Sequence, residues 1–259
     1  MSVEFDLSGQ VAIVTGGGKG VGRGITKRFL QAGAEVVICG RSELESPVEA
    51  GGRTAHFCIA DVRDVEQIGG VVDYAKRELG RVDVLVNNAG GAPEADAATV
   101  SPRFSEAILR LNLIAPLNFA QAANAVMQEQ ESGGCIINIA SVSGVRPSPG
   151  TAAYGAAKAG LLSLTTTLAV EWAPKVRMNA VTAGMIRTEQ SHLHYGDEEG
   201  IAAVGATVPL GRIGEPEDVG NACLYLASPL SSYMSGANLL LHGGGEKPAF
   251  LSAAKNTSG

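Results

Sequence analysis

The sequence predicts an α/β fold, a single doubly wound parallel sheet of about seven strands with helices on both faces. Short β-branched runs alternate along the chain with stretches of helical length, as in sheets whose crossovers are helices. Of 259 residues, 45% are apolar, which is enough for one sizeable core. No internal repeat or proline-rich linker divides the chain, so residues 1–245 are expected to form one domain, with residues 246–259 as a tail.

The expected strands of this sheet are short runs rich in apolar and β-branched residues. They are Val11–Val14, Glu35–Cys39, Thr54–Ile59, Val82–Asn87, Cys135–Ile139, Val176–Val181 and Asn238–Leu241. Three of the intervening stretches, Val21–Gln31, Val65–Leu79 and Glu106–Glu129, have the length and apolar period of helices. Ser42–Arg53 is short and contains Pro47 and a pair of glycines, which predicts a loop in place of a helix.

Two later segments carry further information. Ala152–Trp172 is apolar or small nearly all round, so this helix is expected to be buried on both sides, against the sheet and against a second subunit. Residues 185–214 are mixed in character and rich in glycine and histidine. Because loops at the carboxyl ends of parallel strands hold ligands in doubly wound folds, this long segment is the expected substrate loop.

Composition excludes several classes of function. The net charge of −6 argues against a nucleic-acid partner, and no stretch reaches the roughly 18 apolar residues of a membrane span. The first ten residues carry acids where a signal peptide has a basic region, and the four cysteines stand apart. Both features predict a cytoplasmic protein with reduced thiols. His192 and His194 lie two residues apart in a loop-like stretch, and no metal site is expected.

Glycines are densest in "TGGGKGVGRG", from Thr15 to Gly24, which follows the first strand and opens a helix. At such a junction the backbone N–H groups and the positive end of the helix dipole point at an anion. Lys19 is followed by Gly20 where a P-loop needs Ser or Thr, and the spacing does not fit G-x-G-x-x-G. The stretch therefore predicts a phosphate site of another type.

Tyr154 and Lys158 are four residues apart, which places them on one face of the predicted helix. The ammonium charge is expected to lower the pKa of the phenol from its ordinary value of ~10, which suits a proton donor and acceptor. Ser141 ends the fifth strand, where a hydroxyl in a parallel sheet faces the ligand crevice. The three side chains predict a catalytic group at one edge of the sheet.

Taken together, these motifs resemble the short-chain dehydrogenase/reductase family. The glycine loop reads T-G-x-x-x-G-x-G, "NNAG" follows the fourth strand, and Tyr154 and Lys158 stand at Y-x-x-x-K spacing. The likeness extends from about Leu7 to Gly245. It implies a Rossmann-type fold and an oxidoreductase that interconverts a secondary alcohol and a ketone with a nicotinamide dinucleotide.

The resemblance also implies residue roles. Tyr154 would be the general acid/base, Lys158 would lower its pKa and bind the nicotinamide ribose, and Ser141 would hold the substrate oxygen. Asn112 would position a water in the proton relay. The residues implied in cofactor binding are Gly16, Gly18, Lys19, Gly20, Val21, Gly22, Arg41, Asp61, Val62, Asn88, Gly90, Tyr154, Lys158, Ile186 and Thr188. The chain departs from the family at Ala183, where Pro is usual, and at His242, where Asp is frequent.

Charges near the second strand bear on the choice of dinucleotide. NAD binders place an acid at the tip of this strand, but here the residue is Arg41. A guanidinium suits the 2′-phosphate of NADP, and Lys19 is available as a second cation. NADP(H) is therefore favoured over NAD(H). Glu43 keeps NAD(H) open, since it could turn toward a ribose 2′-OH.

The substrate is expected to lie among Gly91–Ala98, Val142–Gly150 and the 185–214 loop. The first two segments are small and weakly charged, which favours a mainly apolar ketone or alcohol, steroid-like or an acyl thioester. Arg146 and Arg187 are the cations expected near the mouth, either to meet an acid or phosphate group or to be solvated. A non-catalytic dinucleotide sensor on the same fold is the alternative, against which the Tyr–Lys pair argues. The family resemblance and the apolar helix predict a homotetramer, with a dimer as the alternative.

Overall fold

The computed structural model describes residues 5–253, and within them it confirms the predicted α/β class with a seven-stranded parallel sheet. The strands are β1 (Val11–Thr15), β2 (Glu35–Gly40), β3 (Glu49–Ala50), β4 (Arg53–Thr54), β5 (His56–Ile59), β6 (Val84–Asn87), β7 (Gly134–Ser141), β8 (Val176–Ala183) and β9 (Asn238–Leu241). All except β3 and β4 belong to the main sheet.

The order of the main sheet is β5-β2-β1-β6-β7-β8-β9. The chain therefore builds outward from β1 to β5, returns to place β6 beside β1, and then continues to the other edge. Between β1 and β6 the direction of winding reverses, which opens a crevice beyond the carboxyl ends of the strands. The β1 strand ends there at Thr15 and the β6 strand at Asn87.

Helices cover both faces of the sheet. In the described range they are α1 (Gly20–Gln31), α2 (Val65–Leu79), α3 (Pro102–Leu109), α4 (Ala115–Glu129), α5 (Ala152–Glu171), α6 (His192–Tyr195), α7 (Glu198–Thr207), α8 (Pro216–Ala227) and α9 (Ala249–Ala253). Helices α1 and α8 pack on one face, and α2, α4 and part of α5 pack on the other. The parallel strands are thus covered on both sides and read as continuous apolar runs.

Successive side chains of β1 enter the two different cores, as the alternation of a strand requires. Ala12 and Val14 pack with Phe29 of α1, whereas Val11 and Ile13 pack with Phe119 of α4. All these side chains are buried. Because side chains of β1 pack into both cores, the strand fixes the start of the glycine loop relative to the rest of the sheet.

Two local expectations differ in detail from the structure. Ser42–Arg53 contains no helix, as predicted, but its end forms the β3–β4 hairpin, turned by Gly51 and Gly52 at positive φ. The long helix expected over Glu106–Glu129 begins earlier, at Pro102, and is divided by a wide π-helical turn at Arg110–Ile114. The hydroxyl of Ser101 sets the earlier start, because it accepts a hydrogen bond from the N–H of Phe104 at 3.2 Å.

Candidate active site

A cavity of about 1080 Å³ opens at the crevice between β1 and β6. Its lining brings together residues that are far apart in the sequence, from the glycine loop to the 185–214 segment. The predicted site residues found in this lining are Gly16, Gly18, Lys19, Gly20, Val21, Gly22, Arg41, Asp61, Val62, Asn88, Gly90, Ser141, Tyr154, Lys158, Ile186 and Thr188.

The glycine loop is tied to the end of β6. Thr15 Oγ1 accepts hydrogen bonds from the N–H groups of Asn88 and Ala89, both at 2.9 Å, and the Asn88 amide donates to the Thr15 carbonyl at 2.9 Å. A Cβ added to Gly22 would lie 2.2 Å from the Gly16 carbonyl oxygen, so helix α1 approaches the loop as closely as only glycine allows. These contacts hold the glycine loop against the end of β6 at the mouth of the crevice.

Helix α1 begins in the cavity without a side-chain cap at Lys19. The N–H of Gly20 instead donates to Glu189 Oε2 at 3.1 Å, a contact between residues 169 positions apart. A carboxylate at this place uses the same backbone donor and helix dipole that would attract a phosphate. Glu189 also lines the cavity, and sequence reasoning did not identify it.

Ser141, Tyr154 and Lys158 meet where β7 ends and α5 begins. Lys158 is 3% exposed, and its Nζ donates to the Ile139 carbonyl at 2.7 Å. The same nitrogen lies 5.6 Å from the centre of the Tyr154 ring, and Tyr154 and Ser141 line the same cavity. The helix spacing therefore brings phenol, ammonium and hydroxyl to one wall, as the sequence predicts.

The protonation of this group differs from the expectation. Burial raises the pKa of Tyr154, and the nearby Ser141 hydroxyl lowers it by a smaller amount. Burial also lowers the pKa of Lys158 to about 8. The predicted lowering of the tyrosine pKa is therefore wrong for this structure, because the desolvation of the buried phenol outweighs the opposite effect of Ser141.

A buried amide ladder fixes α5 against the sheet. Asn87 Nδ2 donates to Asn138 Oδ1 at 2.9 Å, and Asn138 Nδ2 donates to Thr165 Oγ1 at 2.9 Å. These three side chains are at most 2% exposed. Thr165 lies two turns beyond Lys158 on α5, so the ladder positions the helix that carries Tyr154 and Lys158. In the sequence, an asparagine inside each of two apolar strand runs could have indicated this buried polar contact.

Asn112 is the predicted site residue that lies outside the cavity lining. It sits in the π-helical turn and is fully buried. Its Oδ1 accepts from Gly91 N at 2.8 Å, and its Nδ2 donates to the carbonyls of Gly91 and Ile108 at 3.0 and 2.9 Å. Asn112 thus holds the loop that carries Gly90 in the cavity wall, and its role in a proton relay stays a prediction.

The other end of the cavity carries charged groups beyond β2 and β5. Arg41 is exposed, lines the cavity, and lies near enough to Asp61 to lower its pKa. Asp61 is held mainly by Arg63, through bonds of 2.6 to 3.2 Å, which bring its pKa to about 2. Leu44 and Glu45 line this end, whereas Glu43 is not in the lining. Sequence reasoning identified Arg41 and Asp61 but not Arg63, two residues further on.

The end near Ser141 is more polar than the sequence predicts. Ser143, Arg146 and Ser148 line it from the segment after β7, and Tyr195 lines it from α6. Of the expected Gly91–Ala98 wall, the lining contains Gly91. The two arginines expected near the mouth of the cavity occupy different positions. Arg146 is in the wall, whereas Arg187 is outside the lining and bonded to Glu198.

Comparison with known proteins decides the family. The chain matches the family model described as enoyl-(acyl carrier protein) reductase over residues 16–246. The chain belongs to the short-chain dehydrogenase/reductase family. It is accordingly an oxidoreductase of a family that interconverts CH–OH and C=O groups with NAD or NADP.

Individual relatives share most of their length with this chain. It is 36% identical over 250 residues to the 3alpha-hydroxysteroid dehydrogenase of Mediterraneibacter gnavus, covering 92% of this chain and 97% of that one. It is 34% identical over 244 residues to the 2-dehydro-3-deoxy-D-gluconate 5-dehydrogenase of Escherichia coli, covering 93% and 96%. The crystal structure of a short-chain type dehydrogenase/reductase from Mycobacterium marinum superposes with a TM-score of 0.86 at 34% identity, covering 95% and 98%.

Two negative observations apply to residues 5–253. In this range no group of three or more His, Cys, Asp or Glu side chains is arranged to hold a metal ion. Nor does any helix of the same range combine the length and the apolar character needed to cross a membrane.

Proposed function

We propose that this member of the family interconverts a secondary alcohol and a ketone with NADP(H) in preference to NAD(H), with Tyr154 as the general acid/base. The observation that carries the proposal is the placement of Tyr154 and Ser141 in the wall of one cavity, with Lys158 Nζ 5.6 Å from the centre of the Tyr154 ring. A substrate oxygen placed between the two hydroxyls would receive a hydrogen bond from Ser141 and exchange a proton with Tyr154.

The bound dinucleotide supplies the hydride acceptor or donor at its nicotinamide ring. The glycine loop fits such a cofactor, because α1 begins in the cavity without a side-chain cap and the close approach at Gly22 leaves the wall free of side chains. The α1 terminus would hold the pyrophosphate, and Asn88, Gly90, Ile186 and Thr188 would line the rest of the molecule.

Lys158 has two tasks in this scheme. Its Nζ has one described hydrogen bond, to Ile139, and an ammonium has three donors, so it can also bond to the ribose of the cofactor. Its charge stabilises the phenolate that forms when Tyr154 gives its proton to a ketone. Because Lys158 is buried, this charge acts in a low dielectric, where it is strong.

The preference for NADP(H) rests on two cations, Arg41 directly after β2 and Lys19 directly before α1. Arg41 and Lys19 both line the cavity, and a guanidinium binds phosphate oxygens by charge-assisted bonds. The acid that the sequence offers for a ribose 2′-OH, Glu43, does not line it. Glu45 does, so NAD(H) remains the alternative.

We also infer a homotetramer, with a dimer as the alternative. Helix α5 is small or apolar along most of its outer side, and Val170 near its end is 80% exposed. In the tail, Phe250 and Leu251 are 70% and 57% exposed. Burial of these side chains against a neighbouring subunit would remove apolar surface from water. The tail beyond residue 253 lies outside the described residues.

The test of the proposed function is Tyr154→Phe, with Tyr233→Phe as the matched control because Tyr233 is fully exposed and outside the cavity lining. Turnover of a panel of secondary alcohols should fall about 10²- to 10⁴-fold in Tyr154→Phe, the usual contribution of a general acid/base. Dinucleotide affinity should stay close to that of the wild type, and the control should behave normally. Retained turnover in Tyr154→Phe would show that another group transfers the proton.

A further inference from the structure

Arg146 stands five residues after Ser141, in the segment that joins β7 to α5. It lines the same cavity as Ser141 and Tyr154. No other arginine or lysine after Ser141, apart from Lys158, contributes to this lining within residues 5–253. Arg146 is therefore the cation that a substrate meets when its reacting oxygen lies at Tyr154.

The bonds of the Arg146 guanidinium leave donors unused. Nη1 donates to the Pro147 carbonyl at 2.8 Å, and Nη2 donates to the carboxylate of Glu246. In the described part of the chain, Nε is shielded from solvent and has no hydrogen-bond partner. A shielded donor without a partner carries a desolvation cost, and Nη1 and Nη2 each keep a second N–H that can bond to an anionic ligand.

The carboxylate on Arg146 comes from outside the cavity lining. Glu246 follows β9, and it is 100 positions from Arg146 in the chain. Its side chain is 38% exposed and that of Arg146 is 36% exposed, so the pair can open to solvent without a buried charge being left behind. The contact shows that this guanidinium can bind a carboxylate.

Arg187 and Arg212, two other arginines in the second half of the chain, do not offer a comparable anion site. Arg187 is bonded to both carboxylate oxygens of Glu198 at 2.7 and 2.8 Å, and Arg212 makes two bonds to Asp218. Both lie outside the cavity lining. Tyr195 of α6 also lines the cavity, and burial raises its pKa, while the nearby Arg146 lowers it and Glu246 raises it. Arg146 is thus placed between the catalytic end and the substrate loop.

We propose that the substrate of this enzyme carries a carboxylate, and that Arg146 binds it by exchanging its bond with Glu246 for one with the substrate. The inference rests on the proposed function, because it places the reacting alcohol or ketone at Ser141 and Tyr154. It narrows the substrate class from alcohols in general to hydroxy acids and keto acids. Ser143 and Ser148, which are bonded to each other at 3.1 Å, add polar groups to the same wall.

The experiment compares acids with neutral molecules of the same shape. The probes are 3-hydroxybutyrate, gluconate and cholate, each beside the corresponding amide. Oxidation with NADP⁺ and NAD⁺ gives kcat/KM, and calorimetry on the dinucleotide complex gives affinity without turnover. At least one acid should be preferred tenfold or more over its amide, because each hydrogen bond to a charged group contributes about a factor of 10 or more.

Three variants test the assignment to Arg146. Arg146→Met should weaken binding of that acid about 10- to 100-fold more than binding of its amide, with the loss in KM and affinity rather than in kcat. Arg146→Lys should retain part of the preference, since it keeps the charge but not the fork of donors. Glu246→Gln should tighten binding of the acid, because it removes the internal competitor. Arg187→Met is the control, since it deletes an arginine outside the cavity.

The outcomes separate the two proposals. Equal affinity for acid and amide, no binding of either by the dinucleotide complex, or an equal loss for both in Arg146→Met would overturn the carboxylate assignment. Loss of dinucleotide binding by the wild type, with no turnover of any acid or amide, would overturn the proposed function instead.

Discussion

Replacing Gly22 by alanine would disturb the cofactor loop without touching a polar group. The added Cβ would stand 2.2 Å from the Gly16 carbonyl oxygen and 2.5 Å from Asn88 Nδ2. Comfortable contacts between such atoms are near 3.5 Å, so the loop or helix α1 must move by about 1 Å. Overpacking of this kind costs about 1–3 kcal/mol.

Both stability and binding should respond. For a chain of this length each 1 kcal/mol corresponds to about 2–4 °C, so the melting temperature of Gly22→Ala should fall by about 2–12 °C. The displaced Gly16 also lines the cavity, and we expect the dinucleotide Kd to rise about tenfold or more, equivalent to at least about 1.4 kcal/mol. Differential scanning calorimetry and calorimetric titration measure the two effects.

Gly70→Ala is the matched control. Gly70 is exposed on α2, and no atom lies within 4 Å of its added Cβ. Alanine in an open helical position favours the helix by about 0.5–1 kcal/mol, so the melting temperature should rise slightly and the Kd should not change. If Gly22→Ala matched the wild type in both measurements, the close packing of α1 on the glycine loop would be refuted.

Two other predictions concern charges at the site. Burial lowers the pKa of Lys158 from 10.5 to about 8, so between these pH values the unfolded chain binds a proton that the folded chain has released. The free energy of unfolding should therefore rise from pH 8 to pH 10.5, by about 3 kcal/mol more in the wild type than in Lys158→Met. Urea titrations at several pH values measure this, and plots of unfolding free energy against pH that ran parallel for the two proteins would contradict it. Glu189→Gln should tighten dinucleotide binding about two- to fivefold at low salt, because a carboxylate no longer competes at the start of α1. Exposed Glu199, outside the cavity, gives the control Glu199→Gln, and an equal effect in both variants would point to net charge alone.

The elements that sequence predicts well are those whose pattern is local. The helix Val65–Leu79 was predicted at its observed bounds, because Asp64 caps its start through Glu66 and Gln67 and Gly80 ends it at a φ of 83°. Tyr154 and Lys158 share a face through helix geometry alone. The doubly wound parallel sheet likewise follows from the alternation of strand and helix patterns along the chain.

Contacts between distant segments could not be predicted in this way. The bonds between Gly20 and Glu189 and between Arg146 and Glu246 join segments that meet only after the sheet has formed. The same holds for the pKa of Tyr154, because the depth of burial depends on tertiary packing that i, i+4 spacing does not contain. Sequence reasoning therefore identified the chemical groups but not their protonation or their internal partners.

The most direct test of the central claim is a calorimetric titration of the purified protein with NADPH and with NADH, repeated with Arg41→Ala. Both dinucleotides should bind, NADPH more tightly than NADH, and the Arg41→Ala variant should lose this preference while keeping its affinity for NADH. Preference for NADH, unchanged by the substitution, would contradict the role of Arg41. Binding of neither dinucleotide would contradict the proposed activity itself.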